Sequence, residues 1–100
     1  MSPAPLSPAQ LLRQLFTEAT TSDLAAIAQA IEQSDHIAAL HHAHRIHGAA
    51  LSMGAYALAN AAGTLENGLR AGSVGKAHNQ LQVSQLAVLM QQWVQEQPAH

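Results

Sequence analysis

The sequence predicts an all-α protein, an up-down-up-down antiparallel four-helix bundle. Three observations carry that prediction. Apolar residues make up 48% of the 100-residue chain, and most are Ala and Leu, which favour helix over strand. They recur at i, i+3, i+4 and i+7, and no segment sustains the alternation a half-buried strand needs. Four such segments are joined by short connections, which make successive helices antiparallel neighbours.

Residues 1–7, beginning Met1-Ser2-Pro3-Ala4-Pro5, read as a linker. Ser7-Pro8 reads as an N-cap followed by proline at the first helical position. Leu11, Leu12, Leu15 and Phe16 follow at helical spacing, and Leu24, Ile27, Ala28 and Ile31 resume the stripe. Between them Thr20-Thr21-Ser22-Asp23 is a weak stretch, because these side chains compete for their own backbone. One long helix is expected from about 8 to 33, with a kink near 20 if that stretch yields, its N-terminal part capping one end of the bundle. Ser34-Asp35 caps a second helix running to Met53, which Gly54 is placed to end. The third begins near Ala55, carries Leu58, Ala62, Leu65 and Leu69, and stops at Ala71-Gly72. Ser73 to Gly75 form a turn. The fourth covers about 76–96, with Val83, Leu86, Met90 and Trp93 inward and Pro98 beyond its end. The bundle is thus assigned to 8–96, with 97–100 a tail. The many alanines of helices two and three predict that these two approach closely.

Composition narrows the function classes. A formal net charge of −2 argues against general nucleic-acid binding, which wants a basic face. The absence of cysteine leaves no disulfide framework and no thiolate chemistry, as suits the cytoplasm. No stretch approaches the roughly 20 apolar residues of a membrane span, and the start lacks the basic and apolar regions of a signal peptide. No direct membrane contact is expected. Only 10% of residues are charged, so Ala, Gln, Asn, Ser and His must cover much of the surface.

The chemical potential of the chain is concentrated in His41-His42-Ala43-His44-Arg45-Ile46-His47-Gly48-Ala49-Ala50-Leu51, which holds four of the seven histidines. Histidine is the side chain whose ordinary pKa lies nearest neutrality. With about 100° of turn per residue, Ala39, Ala43, Ile46 and Ala50 gather on one side as a core stripe. His44 lies outside it, on a face shared with Ile37, Leu40, His41, His47, Gly48 and Leu51. Mid-helix glycine costs about 1 kcal/mol relative to alanine, so Gly48 suggests that something comes close to the backbone beside His44. Tight packing of another helix is the alternative explanation.

His44-Arg45-Ile46-His47-Gly48, then Gly54, Leu58 and Leu65-Glu66 in register, resembles the histidine phosphotransfer (HPt) domain, whose signature reads His-x-Leu-Lys-Gly, a glycine closing the helix, and a third helix ending Leu-Glu. The resemblance covers the chain from about Leu11 to Met90 and is closest to the C-terminal module of tripartite hybrid sensor histidine kinases. It implies that His44 accepts the phosphoryl group, that Gly48 leaves room for the partner, and that Glu66 is a polar neighbour on helix three. His47 stands where the family usually has a lysine, a permanent cation; Arg45, always charged, lies about 100° around the helix from His44. Ile37, Leu40, His41 and Leu51 would dock the receiver.

The resemblance further implies relay of a phosphoryl group between aspartates of receiver (response-regulator) domains, in the same chain and in a separate response regulator. No cofactor is expected on this domain, and Mg²⁺ is expected on the partner receiver. Gly72-Ser73-Val74-Gly75-Lys76 is too short for a Walker loop; the domain would be a phosphocarrier without kinase machinery, cytoplasmic, its parent sensor kinase in the inner membrane. Two other readings compete. His41, His44 and His47 recur at i, i+3 and i+6, a spacing that can chelate zinc or nickel, although neither cysteine nor a nearby acidic residue on that face completes a ligand set. A non-catalytic helical adaptor would use the same apolar patch for a partner helix.

Overall fold

A computed structural model describes residues 4–72 and 74–98. The predicted turn at Ser73, the first three residues of the linker and the last two of the tail lie outside the described residues. Four helices follow in order: α1 (Pro8–Glu32), α2 (His36–Met53), α3 (Tyr56–Ala71) and α4 (Lys76–Glu96). Each packs against two others, α1 on α2 and α4, α3 on α2 and α4, the ring of an up-down-up-down bundle. Among the described residues there is no strand, and no helix is long and apolar enough to cross a membrane.

The helix ends follow local chemistry. Ser7 and Gln10 form a reciprocal capping box: the Gln10 amide donates to Ser7 Oγ at 3.1 Å and the Ser7 amide to Gln10 Oε1 at 2.8 Å. Such a cap stabilises a helix by about 1 kcal/mol. Asp35 caps α2 by accepting from the Ala38 amide at 3.1 Å. Gly54 (φ 73°) and Gly72 (φ 65°) close α2 and α3 in the left-handed conformation. Ser34 closes α1 at φ 58° without being glycine; the Asp35 and Ser34 amides return to Ala30 and Ile31 carbonyls at 2.7 and 3.1 Å.

The stretch Thr20–Asp23 does not interrupt α1. Thr17 and Thr21 turn their hydroxyls onto carbonyls four residues back, at 2.8 Å each, while Thr20 and Asp23 are buried among the helices. Ala28, placed in the apolar stripe by spacing, is exposed. So are Leu11, Leu12 and Leu15, each about half. The core begins at Phe16, whose ring meets Trp93 edge-on at 5.1 Å; this pair covers that end of the core while the first turns of α1 run on beside α4, where Arg13 Nη2 donates to the Pro98 carbonyl at 3.5 Å.

Ile27, Ile46, Leu58, Leu65 and Leu86 fill the centre and are sealed from solvent. Cutting such a residue to alanine costs about 2–5 kcal/mol. The α2–α3 seam is lined by small residues: Ala39, Ala43 and Ala50 from one side, Ala59 and Ala62 from the other, all fully buried. This seam lets a carboxylate on α3 reach ring nitrogens on α2.

Candidate functional site

That carboxylate is Glu66, one turn before the end of α3, with its side chain only 7% exposed. His44 Nδ1 lies 2.8 Å from Glu66 Oε2 and His47 Nδ1 lies 3.0 Å from Oε1. Arg70 Nη2, one helical turn further along α3, donates to Oε2 at 2.9 Å. Burial alone would push the Glu66 carboxyl up. The hydrogen bonds from His44, His47 and Arg70, with the charge of His44, outweigh burial and hold it below its ordinary value of 4.5. Glu66 is therefore an anion at neutral pH and can only accept hydrogen bonds.

This fixes the histidine chemistry. A ring nitrogen facing a carboxylate must carry a proton, so in its neutral form His44 is Nδ1–H and its Nε2 keeps a lone pair. The His44 side chain is 72% exposed, so the ring is clamped at one nitrogen and otherwise open to solvent. A neutral imidazole so oriented is a competent nucleophile near pH 7 without any buried base.

Of the other residues singled out by sequence, Ile37, His41 and Leu51 are exposed on the same helix and Leu40 is half-buried. Gly48 is also exposed, and a Cβ built on it meets nothing within 4 Å. Tight packing of another helix of the bundle is thereby excluded as the reason for this glycine. Arg45 turns away from Glu66: its Nε pairs with Asp23 of α1 at 3.6 Å. Among the described residues no group of three or more His, Asp or Glu side chains is placed to hold a metal.

The family model described as Hpt domain matches residues 11–97. The chain belongs to the Hpt domain family. Neither curated proteins nor solved structures give a match. Hpt domains act by phosphotransfer in two-component phosphorelays, with receiver domains as their partners.

Four parts of this Hpt domain escaped the sequence reading. Arg70 was legible, since it stands four residues after Glu66 on one helix face. Gly63 was legible by the argument applied to Gly48: a Cβ there would lie 3.3 Å from His47 Cε1 and 3.4 Å from Nε2, so the glycine makes room for the His47 ring beside Glu66. Asp23 and His42 form the third and fourth. His42 Nδ1 lies 2.8 Å from Asp23 Oδ1, across the α1–α2 seam. The spacing of Asp23 gave only a weak point in a helix, and nothing local named its partner.

Proposed function

We propose that this domain is a phosphorelay intermediate in which His44 Nε2 accepts a phosphoryl group from an aspartyl phosphate on one receiver domain and passes it to the aspartate of another. The observation carrying this reading is the clamp on His44: Nδ1 tied to a buried anion in a side chain that is 72% exposed. The Nε2 lone pair attacks phosphorus, the N–P bond forms, and the acyl phosphate P–O bond breaks to release the receiver carboxylate. No proton has to leave. The phosphorylated ring is a cation with its proton on Nδ1, and Glu66 faces that charge at 2.8 Å, a charge-assisted contact about twice as strong as a neutral one. The return step runs the same path backwards.

Phosphoryl transfer asks for in-line positioning and stabilisation of charge. The receiver would bring its acidic pocket and Mg²⁺; this domain would bring the nucleophile, the Glu66 anion and a surface. Ile37, Leu40, His41 and Leu51 would make that surface, with the open space over Gly48 admitting the receiver backbone. Receivers both in the same chain and in a separate response regulator would fit, as would a place in a hybrid sensor kinase whose phosphotransfer end is cytoplasmic and whose anchor is in the inner membrane.

The test is transfer of labelled phosphate from phosphorylated receiver domains. The wild-type domain should gain an acid-labile, base-stable label. His44→Gln should gain none while keeping its helical circular dichroism and a cooperative thermal transition. Label on that variant overturns the assignment.

A further inference from the structure

We infer that the outer face of α4 is a self-association surface, covered by α4 of a second copy of this chain packed antiparallel about a two-fold axis. The inference does not depend on the phosphotransfer reading. α4 packs on α1 and α3 and not on α2, so its outer face is turned from the helix that carries His44. Leu81, Ser84, Gln85, Val88, Leu89 and Gln92 line a groove on that face, formed by α4 alone. Leu81 and Val88 are each 56% exposed there. Leu81, Ser84, Gln85 and Val88 stand at i, i+3, i+4 and i+7, and Gln85, Val88, Leu89 and Gln92 repeat that pattern one turn on. Four residues so spaced form the hole that receives one side chain of a facing helix. The groove is therefore two successive holes, the shape that fits another helix.

Charge selects which helix. From Ala77 to Gln95 there is no Asp, Glu, Lys or Arg, so the face meets a copy of itself without opposing like charges, on a chain whose net charge is −2. His78 and Glu96 are both exposed. They stand beyond opposite ends of the groove, each about 60° around the helix from Leu81 and on the same side. A two-fold axis between Leu86 and Ala87, midway along the groove, sets residue 78 opposite residue 95 of the second copy. His78 of each copy then reaches Glu96 of the other. A parallel pair would set Glu96 against Glu96, and such like-charge contacts are what suppress a wrong arrangement. The same axis places Val88 and Leu89 of one copy over the hole of Leu81, Ser84, Gln85 and Val88 of the other, with the larger Leu89 opposite the small Ser84. A helix of 21 residues is about 31 Å long. One helix pair of that length falls short of the roughly 1,200–2,000 Å² of a standard interface, so the dimer is weak, with Kd on the order of 0.1 mM.

Sedimentation velocity and diffusion NMR on the whole chain, from about 10 µM to about 1 mM, bracket that affinity. The average mass should climb from one domain towards two, and the amide signals that move with concentration should be those of the outer face of α4, with His44 and its neighbours unmoved. Val88→Lys should keep its helical circular dichroism and remain monomeric at about 1 mM, a loss of tenfold or more in affinity. Leu81→Lys, at the other exposed apolar position, should do the same. Adding Gln85→Glu to Val88→Lys should restore association, because the two-fold axis sets 85 opposite 88 of the second copy. Leu12→Lys, equally exposed but on α1, should leave association unchanged. A wild-type chain that stays monomeric to about 1 mM overturns the inference and leaves the groove to a helix of another protein. Association that survives both lysine variants on α4, or that Leu12→Lys abolishes, overturns it as well, and failure of the Gln85→Glu rescue overturns the antiparallel arrangement.

Discussion

Helix α2 makes the same bond twice, on its two sides. Towards α3, His44 Nδ1 meets Glu66 at 2.8 Å with Arg70 on the same carboxylate. Towards α1, His42 Nδ1 meets Asp23 at 2.8 Å with Arg45 on the same carboxylate. Each is an imidazole on a buried anion with a guanidinium beside it. Exposure separates them: the His44 side chain is 72% open to solvent and that of His42 only 26%. The comparison teaches that a carboxylate-bound histidine acquires a function from what lies on the far side of its ring. Open space there would leave His44 free to act as the nucleophile of the proposed relay. Closure makes His42 a staple between helices, its ring edge-on against His41 at 5.2 Å.

The largest expected effect separates the two histidines. His44→Gln should abolish phosphate acceptance while the bundle stays folded, with a smaller loss of stability than at the less exposed His42. His42→Gln should retain acceptance and lower unfolding free energy by about 1.5–3 kcal/mol, the range for a hydrogen bond to a charged group; urea denaturation and phosphate uptake measured together check both.

Glu66→Gln comes next. Removing the anion behind His44 should slow transfer about ten- to a hundredfold, the loss of one charge-assisted contact expressed as a rate. It should also change the acid limb of stability. A carboxyl held below its ordinary value contributes stability that is complete above the unfolded-state value and is lost as pH falls through the folded-state value. For Glu66 that window lies below 4.5. Wild-type stability should fall there more steeply than that of Glu66→Gln in denaturant titrations at successive pH values.

Gly48→Ala sharpens the contrast between open and closed sides. A Cβ at 48 meets nothing in the free domain, so the variant should be more stable by about 1 kcal/mol. Transfer from a receiver should nevertheless weaken, and phosphoramidate labelling should not. The smallest effect is expected at His47. His47→Lys keeps a donor near Glu66 and makes the charge permanent; transfer rates should stay within about threefold of wild type. A loss like that of His44→Gln would give His47 a role of its own.

Much of the fold could be read from the chain because its signals are local. Ser7-Pro8, Asp35, Gly54 and Gly72 set the helix ends through their own backbone chemistry, and the Ala39/Ala43/Ile46/Ala50 stripe set the buried face of α2. The placement of His44 and Gly48 on one exposed side of α2 was legible for the same reason, since one helix presents both. What escaped depends on two helices at once. Asp23 and His42 are 19 residues apart in sequence, and no periodicity on either helix says that they meet. The overhanging leucines 11, 12 and 15 had the spacing of a core stripe, and only the shorter reach of α2 and α3 leaves them exposed.

The central claim is that Glu66 holds the proton on His44 Nδ1 and leaves Nε2 to react. Proton–nitrogen correlation NMR on the domain labelled with ¹⁵N, recorded before and after phosphorylation, reads both ring nitrogens directly. The neutral form of His44 in the free domain is expected to carry its proton on Nδ1, and the phosphorylated form to carry phosphate on Nε2. Phosphate on Nδ1 of His44, or on the ring of His42, would contradict it.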